Sequence, residues 1–123
     1  MDTTDTTDTE TKVRIVTLSS RPPVKIKECE WPVIASSSWC DDPRVPQQAN
    51  RKAWLKVRQH ADGRTLVYGG TESNWERERS LRSGLLCPKG SDVAKAIYQV
   101  SEELGYKSEL AADAVGELPA EEI

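Results

Sequence analysis

Residues 53–70 read AWLKVRQHADGRTLVYGG, and the fold hangs on them. Two runs rich in β-branched and aromatic side chains flank Asp62-Gly63, a dipeptide suited to the positive-φ positions of a type I′ turn. With Asp62 and Gly63 as the two turn residues of a hairpin, His60 faces Thr65, Arg58 faces Val67 and Val57 faces Tyr68. Strand alternation then gathers Leu55, Val57, Leu66 and Tyr68 on one face. Trp54, Lys56, Arg58, His60, Thr65 and Val67 fall on the other. A one-residue slip would bury Lys56 and Arg58, so the first face is expected to be the core face and the second the outer one.

Downstream, Gly69-Gly70 ends the second strand. Residues 76–83 (ERERSLRS) read as a charged helical turn or two stopped by Gly84, and Leu85-Leu86-Cys87 as a short edge strand. The clearest helix is 91–104. Ser91 is its expected N-cap, Asp92 favours its dipole from the first turn, and Gly105 follows as the residue past its end. Val93, Ile97, Val100 and Leu104 recur at helical spacing as one apolar stripe, which Ala94, Ala96 and Tyr98 widen. A second helix is expected over 109–118, capped by Ser108 and stopped by Pro119.

Upstream, Lys12–Ser19 and Val24–Lys27 alternate as strands on either side of Pro22-Pro23. Residues 28–38 (ECEWPVIASSS) are ambiguous. Pro32 suits the first turn of a short helix after Glu28 and Glu30, yet Trp31 before a proline favours extended backbone; the short helix is the preferred reading. Residues 39–50 read as a loop.

Strands preceding helices with an antiparallel hairpin define an α+β fold. Its expected form is a small antiparallel sheet of three to five strands, central hairpin 53–70, packed against C-terminal helices 91–104 and 109–118. The organisation is one domain over 12–119, between an acidic, disordered tail at 1–11 (MDTTDTTDTET) and a frayed tail at 120–123. The 37% apolar and 30% charged content suit a soluble globular chain. No run of 18 apolar residues and no basic-then-apolar leader is present, so no membrane association is expected and the cytoplasm is the default location.

Chemistry-bearing motifs are few. The chain has one histidine, and no GxSxG, HExxH, GxxxxGK[ST] or GxGxxG. Cys29, Cys40 and Cys87 are an odd number at scattered spacings, which favours reduced thiols over a disulfide framework. With His60 they make a formally complete zinc set, but without the tight ligand pairs such sites use. Asp41-Asp42 adjoin at a loop with no further carboxylate at calcium-loop spacing. No enzyme activity, cofactor or metal is therefore expected. An enzymatic reading needs His60 in a cleft within reach of a cysteine or a carboxylate.

Net charge is −3, unevenly spread. Residues 12–101 hold sixteen bases and nine acids, while both ends are acidic. Four tryptophans and no phenylalanine are an unusual set, and an exposed Trp beside Arg is a typical interface anchor. Two binding readings follow. The first is a non-catalytic binding or regulatory module, of adaptor or inhibitor type, that docks on a protein partner through Trp39, Trp54, Arg58 and Trp75. The alternative is nucleic-acid binding on the outer hairpin face, where Trp54, Lys56, Arg58, His60 and Arg64 pair stacking with phosphate neutralisation. The oligomeric state is not legible in these residues.

Overall fold

The computed structural model describes residues 12–19, 21–41, 44–45, 49–75, 77–105 and 108–119. The expected tails at 1–11 and 120–123 lie outside them, as do Asp42 and Glu76. The fold is α+β in three layers. A hairpin of β1 (Val13–Val16) and β2 (Val24–Lys27) covers part of one side of a four-stranded antiparallel sheet. That sheet has the order β3 (Val33–Cys40), β4 (Arg51–Gln59), β5 (Thr65–Ser73) and β6 (Arg82–Cys87). Helices α1 (Val93–Glu103) and α2 (Ser108–Gly116) pack on its other side.

The β4–β5 register differs by one residue from the sequence expectation. The loop has three residues, Ala61 to Gly63: His60 N–H donates to the Arg64 carbonyl (2.9 Å) and Gly63 N–H to the His60 carbonyl (2.9 Å). A two-residue type I′ turn needs positive φ at both central positions, yet among the described residues only glycines have positive φ. Gly63, at φ 97°, takes the left-handed position alone. Asp62 instead caps the turn, its carboxylate accepting from Arg64 N (2.9 Å) and Arg64 Nε (2.8 Å). The backbone hydrogen bond from Arg64 holds the Asp62 carboxyl below the usual range.

The slip exchanges two pairs of side chains between the faces. Val57 pairs with Val67, Arg58 with Leu66 and Lys56 with Tyr68. Val67 joins Leu55 and Val57 in the core beneath the helices, with Ile97, Val100, Leu104 and Ala111. Leu66 and Tyr68 turn instead to the Trp54–Arg58 side. There a second core gathers Val16, Leu18, Ile26, Trp31, Leu66 and Tyr68. The expected outer face is thus half of a second interior.

Residues 28–38 are not a helix. A single 3₁₀ turn spans Glu28–Glu30, and β3 begins at Val33. Trp31 precedes a proline and so favours extended backbone, and Val33-Ile34 suit a strand. Pro32 can start an edge strand because no ladder donor is needed there, and its carbonyl accepts from Gln59 N–H (3.1 Å). Trp39 and Cys40, expected in a loop, end this strand.

Residues 76–83 are not helical where described. Thr71 N–H donates to the Leu81 carbonyl, and Leu81 N–H to Thr71 Oγ1 (both 2.9 Å), so the segment closes onto β5. β6 consequently begins at Arg82 rather than Leu85. Helix α1 follows its pattern, except that Asp92 rather than Ser91 is the N-cap, accepting from Lys95 N (3.1 Å), and Tyr98 is exposed. Gly105, at φ 80°, leaves the helix as expected.

The β1–β2 hairpin crosses the sheet. Near its start, Arg14 meets Glu28 beside β4; past its first strand, Ser19 N–H donates to the Gly84 carbonyl of β6 (2.9 Å). Gly84 permits that approach, since a Cβ there would lie 2.5 Å from the Thr17 carbonyl oxygen. At the same edge Ser19 and Ser83 both donate to the Glu103 carboxylate of α1, joining all three layers. Burial raises the Glu103 carboxyl, but these hydrogen bonds outweigh it and leave the group below its ordinary value.

Candidate binding surface

The hairpin divides its side of the sheet into two surfaces. Beyond β1 no described element covers the sheet, and Trp54 of β4 stands partly exposed there, its inner part packed against the second core. The Arg82 guanidinium lies 5.7 Å from the indole centroid and Lys56 Nζ 6.0 Å, while Tyr68 meets the ring edge-on at 5.6 Å. The neighbours are small: Ser38 pairs with Trp54 from β3, Ser36 pairs with Lys56, and Gly70 pairs with Trp54 from β5. Gly70 leaves room for the ring's partner, since a Cβ there would lie 2.6 Å from Arg82 Nη1 and the arginine would have to shift. Strand alternation adds Lys52 to this face.

Positive charge accumulates beside this platform. Glu28 is ion-paired with Arg14 (2.5 Å), Arg58 (3.5 Å) and Lys12 (3.6 Å). The Arg14 hydrogen bond holds the Glu28 carboxyl below its ordinary range. One carboxylate does not balance these cations. Lys56 is pushed down by desolvation, and further by Arg14 and Arg58. An anion arriving at Lys56 would relieve that repulsion.

Charge also separates by layer. Residues 12–30, the hairpin and its 3₁₀ turn, carry five bases and two acids. The helical layer, residues 92–117, carries six acids and one base among its described residues. The basic and acidic layers lie on opposite sides of the sheet.

The second surface lies beyond β2. A groove of about 610 Å³ separates β2 from the β4–β5 turn. Arg21, Lys25, Lys27 and Arg64 supply its basic groups, and Leu66 and Leu86 its floor. Trp31 is buried beneath Arg64, whose Cζ lies 5.2 Å from the ring centroid, and beside His60, whose ring centroid lies 5.0 Å away.

The two residue sets expected from sequence are therefore divided. Trp54 and Lys56 share the open platform, whereas His60 and Arg64 belong to the groove. Arg58 belongs to neither as a contact residue. It is 6% exposed, donates from Nε to Tyr68 Oη (2.8 Å) and from Nη1 to the Trp31 carbonyl (3.0 Å), and so ties the sheet to the segment that follows β2. Placing it on a solvent face was an error of environment: its strand parity was right, but that face is roofed by the hairpin. Arg82 was missed because 76–83 was read as helix; with β6 begun at Arg82, its pairing with Gly70 puts it over Trp54.

Trp39 and Trp75 are 43% and 52% exposed and lie at the Arg51 end of the sheet. Arg51 Cζ sits 5.8 Å from the Trp75 ring, and Arg51 also pairs with Glu78 (2.6 Å). Ser73 Oγ donates to the same carboxylate. The hydrogen bonds from Arg51 and then Ser73 lower the Glu78 pKa from 4.5 to about 2. A folded-state pKa below the unfolded one gives stabilisation that is full above pH 4.5 and lost as pH falls towards 2. The expected result is a Glu78 carboxyl NMR titration with a midpoint near 2, returning towards the ordinary carboxylate value in Arg51→Ala. An ordinary midpoint in the native chain would contradict this geometry.

His60 Nδ1 lies 3.2 Å from Asp62 Oδ2, but this is local turn chemistry. Nδ1 accepts from Asp62 N–H (3.1 Å), and Arg64 holds the carboxylate. Among the described residues, no group of three or more His, Cys, Asp or Glu side chains could hold a metal ion. Nor is any helix among them long and apolar enough to cross a membrane. Comparison with protein-family models, with curated proteins and with solved structures finds no match to this chain.

Proposed function

We propose that this protein is a non-catalytic module that binds single-stranded nucleic acid on the open platform around Trp54. The observation that carries the reading is the partly exposed indole with the Arg82 guanidinium 5.7 Å and Lys56 Nζ 6.0 Å from its ring centroid, on the face of the sheet that the helices do not cover. Lys52, Lys56 and Arg82 would neutralise phosphates, and Trp54 would give a base a stacking partner. Ser36, Ser38 and Gly70 leave room for a chain to lie flat. The reading places the protein in the cytoplasm, with Cys29, Cys40 and Cys87 as thiols.

Anisotropy titration of a labelled single-stranded oligo(dT) tests it. Three phosphate contacts on a single strand give an expected log–log salt slope of about −2. Trp54→Ala should cost about 1–3 kcal/mol of binding, the range for one base–aromatic stack. Lys56→Glu with Arg82→Glu should abolish binding at low salt. Absence of binding by the native chain at low salt would sink the reading.

A second reading, docking on a protein partner, is favoured by the exposure of Trp39 and Trp75 at one end of the sheet. It expects Trp39→Ala and Trp75→Ala to remove partner binding while oligo(dT) binding persists. Loss of oligo(dT) binding in both variants would count against treating the two surfaces as separate.

A further inference from the structure

The Trp54 platform changes character towards β3, the edge strand of the four-stranded sheet. There a hollow of about 450 Å³ adjoins the indole. Ser36 and Ser38 of β3, Trp54 and Lys56 of β4, and Asp113 and Glu117 of α2 line it. The register fixes which way the serines point. Ser38 pairs with Trp54 and Ser36 with Lys56, so both hydroxyls share the face of the indole. Ser37, between them, turns to the helices and donates to the Leu110 carbonyl (2.7 Å). Asp113 and Glu117 are exposed and stand four residues apart, about one helical turn.

This lining suits a hydroxyl better than a phosphate. Among the described residues, Lys56 is the one cation in the hollow, against two carboxylates. A carboxylate only accepts hydrogen bonds, whereas a serine hydroxyl both donates and accepts. A ribose 2′-OH also does both, and it is the group by which a protein tells RNA from DNA. Position agrees with chemistry. Directly paired strand residues hold their Cβ atoms about 5 Å apart, so Ser38 stands beside the indole where the sugar of a stacked base would lie. Lys52 and Arg82 remain for the phosphates.

We infer that this hollow is a ribose subsite and that the protein prefers single-stranded RNA to DNA of the same base sequence. The inference rests on the reading of Trp54 as a single-strand platform and adds the identity of the sugar. Ser36 and Ser38 supply hydroxyls to the 2′-OH, and Asp113 and Glu117 supply acceptors for its proton. A deoxyribose leaves these groups to water, because the hollow is open. The preference is therefore a matter of one net hydrogen bond, about fivefold, and DNA still binds.

Anisotropy titrations with labelled oligo(U), oligo(dU) and 2′-O-methyl oligo(U) of equal length, at one salt concentration, test the inference. The native chain should bind oligo(U) about fivefold more tightly than the other two. Ser36→Ala with Ser38→Ala, its fold checked by circular dichroism, should lose that preference while keeping the affinity for oligo(dU). Asp113→Ala with Glu117→Ala should tighten oligo(dU) binding by removing repulsion, yet narrow the gap between the two oligomers. A purely electrostatic role for these carboxylates would tighten both equally, and that result would count against the inference. Equal binding of oligo(U) and oligo(dU) by the native chain would overturn it and leave the platform reading standing. Equal binding of oligo(U) and its 2′-O-methyl form would assign the preference to sugar pucker and overturn it as well. Binding of none of the three would overturn both readings.

Discussion

Arg58→Ala should lower the unfolding free energy by about 3–5 kcal/mol, the usual cost of breaking a buried pair from one side. The guanidinium ties β4 to three groups: Tyr68 Oη, the Trp31 carbonyl and the Glu28 carboxylate. Its removal strands the first two between the sheet and the hairpin, without solvent to replace the lost donors. Arg58→Lys should recover little of the loss, since a single ammonium cannot reproduce a planar fork reaching several acceptors. Urea unfolding of the two variants reads this directly. A change below about 1 kcal/mol, the range of an exposed ion pair, would mean that Arg58 is solvated after all.

The second large effect is expected at Leu66, which is fully buried. Leu66→Ala should cost about 2–5 kcal/mol, the range for emptying a packed leucine site. Where the damage falls matters more than its size. Leu66 packs with Val16, Leu18, Ile26, Trp31 and Tyr68, so amide exchange should accelerate across β1 and β2 while α1 and α2 keep their protection. The type I′ register would put Leu66 under the helices instead. Acceleration in α1, with β1 and β2 unchanged, would restore that register.

Both effects trace to how far the fold could be read from the chain. The α+β order, the central hairpin and the two C-terminal helices were legible because each rests on local periodicity or capping: Ile97, Val100 and Leu104 are buried, and Gly105 leaves the helix. The turn type was not, because Asp-Gly serves two loops. Hydrogen bonds from Arg64 to the Asp62 carboxylate favour the three-residue one, and that choice sets the parity of all of β5. Residues 28–38 and 76–83 failed for a related reason. Their conformations are determined by partners distant in sequence: Gln59 for Pro32, Thr71 for Leu81.

The candidate surface shows the same division. Trp54 and Lys56 were legible from alternation on β4 alone. Arg82 required the β5–β6 pairing, and the burial of Arg58 required the β1–β2 hairpin to fold back over the sheet. No local pattern in KVRIVTLS or VKIK specifies that roof; it depends on Gly84 leaving room for Thr17 and on Arg14 meeting Glu28.

The central claim is that the open face around Trp54 is a binding site for a single strand. Amide and indole chemical-shift mapping of the isotopically labelled protein, titrated with oligo(dT) at low salt, tests it most directly. The account predicts shifts concentrated at Ser36, Ser38, Lys52, Trp54, Lys56, Gly70 and Arg82, with α1 unmoved. Shifts confined to the helical layer, or none at all, would contradict it.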